Sequence, residues 1–194
     1  MAAVYPDMFA AASEFSGEPA GCFFTGTVRG WNSQCAGGTL HKSSAEWVSQ
    51  VKAMYPGYSG QYPKMQVFHG DVDTTLNIAS YNESIKEWSG LQGYSGNAMQ
   101  TLNNNPGAKL TKYIYGDRLQ GIWGHGIGHV VPTNETEALK WFGITVSYVA
   151  ISLAYIPQHG NGMTNECTVM MKYASHQLCK YDKKRIDIQD VRLV

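Results

Sequence analysis

The chain has 194 residues, enough for one domain with its own core, and its acidic and basic side chains balance to a net charge of zero. Only 15% of residues are charged, which leaves no basic patch for nucleic acid and no acidic tail. No apolar run reaches the roughly 18 residues a membrane span needs, the longest being Val146 to Ile156.

Met1 to Tyr5 reads as the last turn of a helix, ended at Tyr5-Pro6 because the residue before proline is pushed out of the α region. No positive n-region or apolar h-region opens the chain, so no signal peptide is expected within it. Phe9 to Phe15 reads as a small-residue strand closed by Ser16-Gly17, and Gly17 to Leu40 as a loop. Cys22 and Cys35 either pair across that loop or stay as two buried thiols; a bridge would constrain it by about 3 kcal/mol. Ser43 and Glu46 fit a capping box that opens a helix carrying Trp47, Val48, Val51 and Met54 at helical spacing, broken at Pro56-Gly57.

Met65 to Phe68 is a short alternating strand between Pro63 and Gly70. His69-Gly70-Asp71-Val72-Asp73 follows, so one or both carboxylates stand just past a strand end. Ile78, Tyr81, Ile85 and Trp88 stripe the next helix, and Gly90 to Gly107 reads as a polar loop. Leu110 to Gly116 and Leu119 to Trp123 are strands. Asn134 caps a last helix with Ala138, Leu139 and Phe142. Strands alternating with helices imply a mostly parallel sheet.

Between the last strand and that helix lies Gly126-Ile127-Gly128-His129. A carboxylate past a strand and a later histidine in a glycine-rich loop stand in the order that acid and base take in an α/β-hydrolase. An imidazole titrates near neutrality, so it can take a proton from a nucleophile and return it to a leaving alcohol. Asp71 and Asp73 compete for the acid, and both also suit Asx turns. His129, His125 and His69 compete for the base, His69 reading as a buried structural ring. No Gly-x-Ser-x-Gly exists. Gly57 to Gly60 and Gly93 to Gly96 each fall one residue short and lie in polar loops, so neither Ser59 nor Ser95 is expected to be a nucleophile.

Tyr5-Pro-Asp-Met-Phe9, Ser16-Gly17, Ala20-Gly-Cys22, Gly30-Trp-Asn32, Pro56-Gly57-Tyr58, Pro63 to Gly70, Asp73-Thr-Thr75, Gly128-His129 and Trp141-Phe-Gly-Ile144 stand together in one order. In these motifs the chain resembles the secreted fungal acetylxylan esterases of carbohydrate esterase family one, to which feruloyl esterases and polyhydroxybutyrate depolymerases are related. The resemblance implies an α/β-hydrolase fold, N-terminally truncated, with residues 1–145 forming the C-terminal part of an esterase domain. It implies Asp73 as triad acid, by the family's His-Gly-x-x-Asp spacing, His129 as triad base, and Trp31 as a residue lining the substrate cleft. An aromatic face there suits the apolar face of a xylose ring.

The resemblance also implies a nucleophilic serine upstream of Met1, so this chain is expected to be inactive alone. The implied reaction is removal of acetyl groups from acetylated xylan. The alternatives are a feruloyl esterase on feruloylated xylan and a non-catalytic carbohydrate-binding protein. No cofactor is expected, no nucleic acid or membrane partner, and a monomeric, secreted protein. Asn82 and Asn134 head glycosylation sequons. Residues 146–194 depart from the family and are expected to form a poorly ordered tail of translated intron or shifted frame. His159, Cys167, His176 and Cys179 there are too loosely spaced to predict a metal site.

Overall fold

The computed structural model describes residues 1–27 and 29–144, and beyond them the backbone of residues 169–172 and 178–181. The chain folds as two compact units, Met1–Tyr148 and Val149–Val194. The first unit contains strands β1 (Ala11–Phe15), β2 (Lys64–Gly70), β3 (Gln100–Asn103), β4 (Leu110–Gly116) and β5 (Leu119–Gly124), with helices α1 (Ser33–Ala36), α2 (Ser44–Met54), α3 (Ala79–Gln92) and α4 (Glu135–Trp141). In the second, β6 (Val169–Lys172) pairs antiparallel with β7 (Leu178–Tyr181). The remainder of the expected tail, with His159, Cys167 and His176, lies outside the described residues.

The first unit is built on one mixed sheet in the order β1-β2-β5-β4-β3. β1, β2 and β5 run parallel, while β5, β4 and β3 are joined antiparallel. The parallel half therefore carries β2 and β5 side by side, and the segments that follow both leave from the same end of the sheet. The capping box forms as the sequence predicts: the Ser43 hydroxyl accepts from the Glu46 N–H and the Glu46 carboxylate accepts from the Ser43 N–H. α2 buries Trp47 and Val51 completely, and α3 buries Tyr81, Ile85 and Trp88. Tyr81, Ile85, Trp88 and Val51 form one core with Met65, Val67 and Leu119 of the sheet. A second core joins Phe15, Phe68, Leu110, Ile122, Ile127 and Val131, with Phe15 and Phe68 stacked at 4.5 Å between centroids. α4 is tied to β1 by the Trp141 indole N–H, which donates to the Ala12 carbonyl, and to β4 by the Lys112–Glu137 ion pair.

Three expectations need correction. Gly90 does not end α3, which continues to Gln92 and stops at Gly93 in the left-handed region (φ 76°). A Cβ at Gly90 would stand 2.3 Å from Ser44 Oγ and 2.6 Å from Val48 Cγ2, so this glycine lets α3 lie close on α2. The segment read as a polar loop from Gly90 to Gly107 contains β3, an edge strand whose largely exposed side chains show no buried alternation. The loop from Gly17 to Leu40 contains α1, capped by the Asn32 side chain, which accepts from the Gln34 and Cys35 N–H groups. Met1 to Tyr5 closes a single turn, the Tyr5 N–H donating to the Met1 carbonyl.

Glu87 of α3 is 1% exposed and accepts from the Ala20 N–H at 2.9 Å. Burial, reinforced by the charge of Glu14, pushes its carboxyl up to about 8, and burial pushes Glu14 up to about 7. Above the ordinary value of 4.5, unfolded chains release protons that these folded carboxyls retain. Stability is therefore expected to fall as pH rises from about 4.5 and to level off near 8. Glu87→Gln should flatten that decline and raise stability at pH 8 by about 1–3 kcal/mol, read from urea unfolding across the pH range.

Candidate active site

β2 and β5 are adjacent and parallel, so the segment after Gly70 and the segment after Gly124 emerge together at the carboxyl end of the sheet, where open α/β sheets place their ligand sites. The two segments are laced by backbone. The Asp71 N–H donates to the Gly124 carbonyl at 2.8 Å and the Val72 N–H to the Ile127 carbonyl at 3.2 Å. Gly70 permits this approach: a Cβ there would lie 2.0 Å from the Ile127 carbonyl oxygen and 2.6 Å from that of Gly128. Gly126 supplies a positive φ of 65° where the second loop turns.

The two aspartates divide the work. Asp71 accepts from the Gly126 N–H at 2.7 Å and from the Trp123 indole N–H at 3.3 Å, and stands 3.4 Å from His125 Nδ1. It clasps the base of the histidine loop. The Asp73 side chain has no exposed surface. Its Oδ1 accepts from the Thr75 and Leu76 N–H groups at 2.8 and 3.0 Å, and its Oδ2 lies 2.9 Å from His129 Nδ1 and 3.2 Å from His69 Nε2. Asp73 thus makes an Asx-type turn with one oxygen and meets His129 with the other. Burial pushes its carboxyl up, but the His129, Leu76 and Thr75 hydrogen bonds outweigh this and hold it below the ordinary carboxylate value.

The histidines differ in what their second nitrogen does. His125 Nε2 is engaged by Thr111 Oγ1 at 2.9 Å. His129 keeps 41% of its side chain exposed, and its Nε2 has no hydrogen-bond partner among the described residues. An imidazole held at Nδ1 by a buried carboxylate and open at Nε2 is arranged to exchange a proton with a group outside. Asp73 and His129 are therefore brought together, and no serine hydroxyl hydrogen-bonds His129 among the described residues. The support given by the Thr75 and Leu76 N–H groups is a part of the site that sequence reasoning misses. Its only signal is the Asp-x-Thr spacing of an Asx turn.

The other candidates make no hydrogen bond to this cluster among the described residues. Trp31 is 57% exposed and stacks on Phe23 at 5.0 Å between centroids. Cys22 and Cys35 are joined by a disulfide and packed on the fully buried Trp47. Asn82 is exposed on α3, and Asn134 is the N-cap of α4, its side chain accepting from the Glu137 N–H at 3.0 Å. Among the described residues no helix is long and apolar enough to cross a membrane, and no group of three or more acidic, histidine or cysteine side chains is placed to hold a metal ion.

Gly70→Ala should push the two loops apart and speed amide hydrogen exchange at Asp71 and Val72 by about tenfold or more, while the Phe68 amide keeps its protection. Because the Asp73 carboxyl sits below its ordinary value of 3.8, its ionisation stabilises the fold above that pH, and this contribution is lost as pH falls through the lower folded value. Asp73→Asn should cost about 1.5–3 kcal/mol in urea unfolding at pH 6. The gap from wild type should shrink on acidification below 3.8.

No protein-family model matches the chain. It is similar to curated fungal proteins over three quarters of its length. The "Probable acetylxylan esterase A" of Aspergillus fumigatus is 48% identical over 148 residues, which are 75% of this chain and 40% of that protein. The "Acetylxylan esterase A" of Aspergillus ficuum is 47% identical over 146 residues, 74% of this chain and 48% of that one. The solved structure of the acetyl xylan esterase from Aspergillus awamori superposes with a TM-score of 0.72 at 45% identity, covering 75% of this chain and 54% of that chain. The chain thus spans about half the length of the curated relatives it matches. The mixed five-stranded sheet with its flanking helices is consistent with an α/β-hydrolase-like fold, and over three quarters of its length the chain resembles the acetylxylan esterases in both sequence and structure.

Proposed function

We propose that this chain carries the acid and the base of a serine carboxylic-ester hydrolase that deacetylates xylan. The observation behind this reading is the contact of Asp73 Oδ2 with His129 Nδ1 at 2.9 Å, with the carboxylate buried and the far ring nitrogen open. His129 takes the proton of a serine hydroxyl as that oxygen attacks the acetyl carbonyl. It then gives the proton to the departing sugar hydroxyl, and an acyl-enzyme remains. Water, activated by the same ring, releases acetate. Asp73 holds the tautomer with hydrogen on Nδ1 and stabilises the imidazolium that forms at each step.

The acetyl group and the xylan come from the names of the relatives, one called acetylxylan esterase A outright and the other with "probable" before it. Trp31 offers an exposed aromatic face for a sugar ring. The Cys22–Cys35 disulfide supports an oxidising, extracellular setting. Since no serine meets His129 among the described residues, the chain by itself is proposed to turn over little or no ester. Loss of the nucleophile from such a triad costs about 10⁶ in kcat.

A chimera tests this. Residues 1–144 should replace the matching segment of the Aspergillus awamori esterase, and acetate release from acetylated xylan should be measured beside hydrolysis of methyl ferulate. The chimera should release acetate and prefer the acetylated polymer, and Asp73→Asn within it should lower kcat by about 10⁴. A folded chimera without esterase activity, or a loss below about tenfold on Asp73→Asn, contradicts the assignment. A preference for methyl ferulate would transfer it to a feruloyl esterase.

A further inference from the structure

His69 is the last residue but one of β2, and its side chain is completely buried. Its Nε2 lies 2.9 Å from the Leu76 carbonyl oxygen and 3.2 Å from Asp73 Oδ2, and its Nδ1 has no partner among the described residues. A carbonyl only accepts, so Nε2 must carry the hydrogen. In the neutral ring Nδ1 is then bare. A second proton there would create a buried N–H with nothing to receive it, at the cost of an unsatisfied buried donor. The ring is therefore held as one tautomer. Its single N–H goes to the Leu76 carbonyl at the end of the acid loop, and the same nitrogen stands 3.2 Å from the Asp73 oxygen that faces His129 Nδ1.

This arrangement is more than core filling. The bond to Leu76 spans the whole acid loop, from the strand that enters it to the residue that leaves it, and Leu76 also donates its own N–H to Asp73 Oδ1 at 3.0 Å. Strand, loop end and carboxylate are thus linked by two hydrogen bonds that meet at Leu76. A buried carboxylate left to its backbone donors could still rotate about its last bond. A positively polarised ring nitrogen fixed on the strand 3.2 Å from Oδ2 limits that freedom.

We propose that His69 is a positioning residue for the Asp73–His129 pair: its fixed Nε2–H braces the acid loop through Leu76 and holds Asp73 Oδ2 in line with His129 Nδ1. The proposal rests on the reading of Asp73 and His129 as acid and base. With the His69 ring nitrogen 3.2 Å away, Asp73 Oδ2 also presents less of its charge to His129 than a carboxylate without that neighbour would.

Imidazole proton and nitrogen spectra of the full 194-residue chain test it, with His69→Phe and His69→Gln as variants. A glutamine amide offers two N–H groups from about the position of Nε2 and can serve both acceptors. In wild type, His69 should show the neutral Nε2–H tautomer at about pH 7, and His129 should give a low-field Nδ1–H resonance that Asp73→Asn removes. His69→Phe should move that resonance further downfield and speed its exchange with water about fivefold, while His69→Gln restores both. An Nδ1–H tautomer, or a His69 ring doubly protonated at that pH, overturns the proposal in wild type alone, whether or not the variants fold. Unchanged signals in His69→Phe, or equal displacement by Phe and Gln, reduce His69 to core packing. If the His129 resonance is absent, or survives Asp73→Asn, the underlying acid–base reading fails instead.

Discussion

One short contact, from the buried Asp73 Oδ2 to His129 Nδ1 at 2.9 Å, is what the molecule is arranged to make. It joins residues 56 positions apart in the chain, and neither loop is long enough to find the other unaided. Parallel pairing of β2 with β5 brings the two loops to one end of the sheet, and the bonds from Asp71 and Val72 N–H groups to Gly124 and Ile127 carbonyls set their register. Gly70 makes that lacing possible, because any side chain would strike the backbone of the histidine loop. The helices act at one remove. α3 supplies the buried Tyr81 and Trp88 that cover the sheet, with Val51 of α2 in the same core, so that the strands beneath hold the loops in place.

The site separates structural from chemical use of charge. Asp71 spends its oxygens on a backbone amide and an indole, and its side chain stays partly exposed. Asp73 lies at full burial, where an ionised carboxylate is tolerated only with several donors. It has them: two amides on one oxygen and two imidazoles near the other. Elsewhere the chain handles buried acids differently. Glu83 is paired with the Lys86 ammonium, the Trp47 indole and the Lys42 amide, and is held below its ordinary value despite its burial. Glu87 receives one amide donor beside another carboxylate, and burial pushes it up to about 8.

Much of this is readable from the residues, and the gaps have physical causes. The capping box at Ser43, the helical stripe of α3 and the strands β2, β4 and β5 rest on local patterns, and those patterns decide the local structure. β3 is not readable because an exposed edge strand has no buried face to alternate with. Gly90 misleads because a glycine that admits a neighbouring helix looks, in sequence, like one that ends its own. The choice between Asp71 and Asp73 is open on local grounds and closes in sequence only by likeness to a family. Their difference lies in partners more than 50 residues away, Gly126 for one and His129 for the other. His69 can be placed as a buried ring at a strand end, but its bond to Leu76 depends on how the acid loop folds back.

A double-mutant cycle on Asp73→Asn and His129→Gln, read by urea unfolding of the full chain near neutral pH, measures the central contact most directly. A coupling of about 1 kcal/mol or more is expected, since each side chain is the other's partner at a buried oxygen. Losses that simply add, to within about 0.3 kcal/mol, would contradict it.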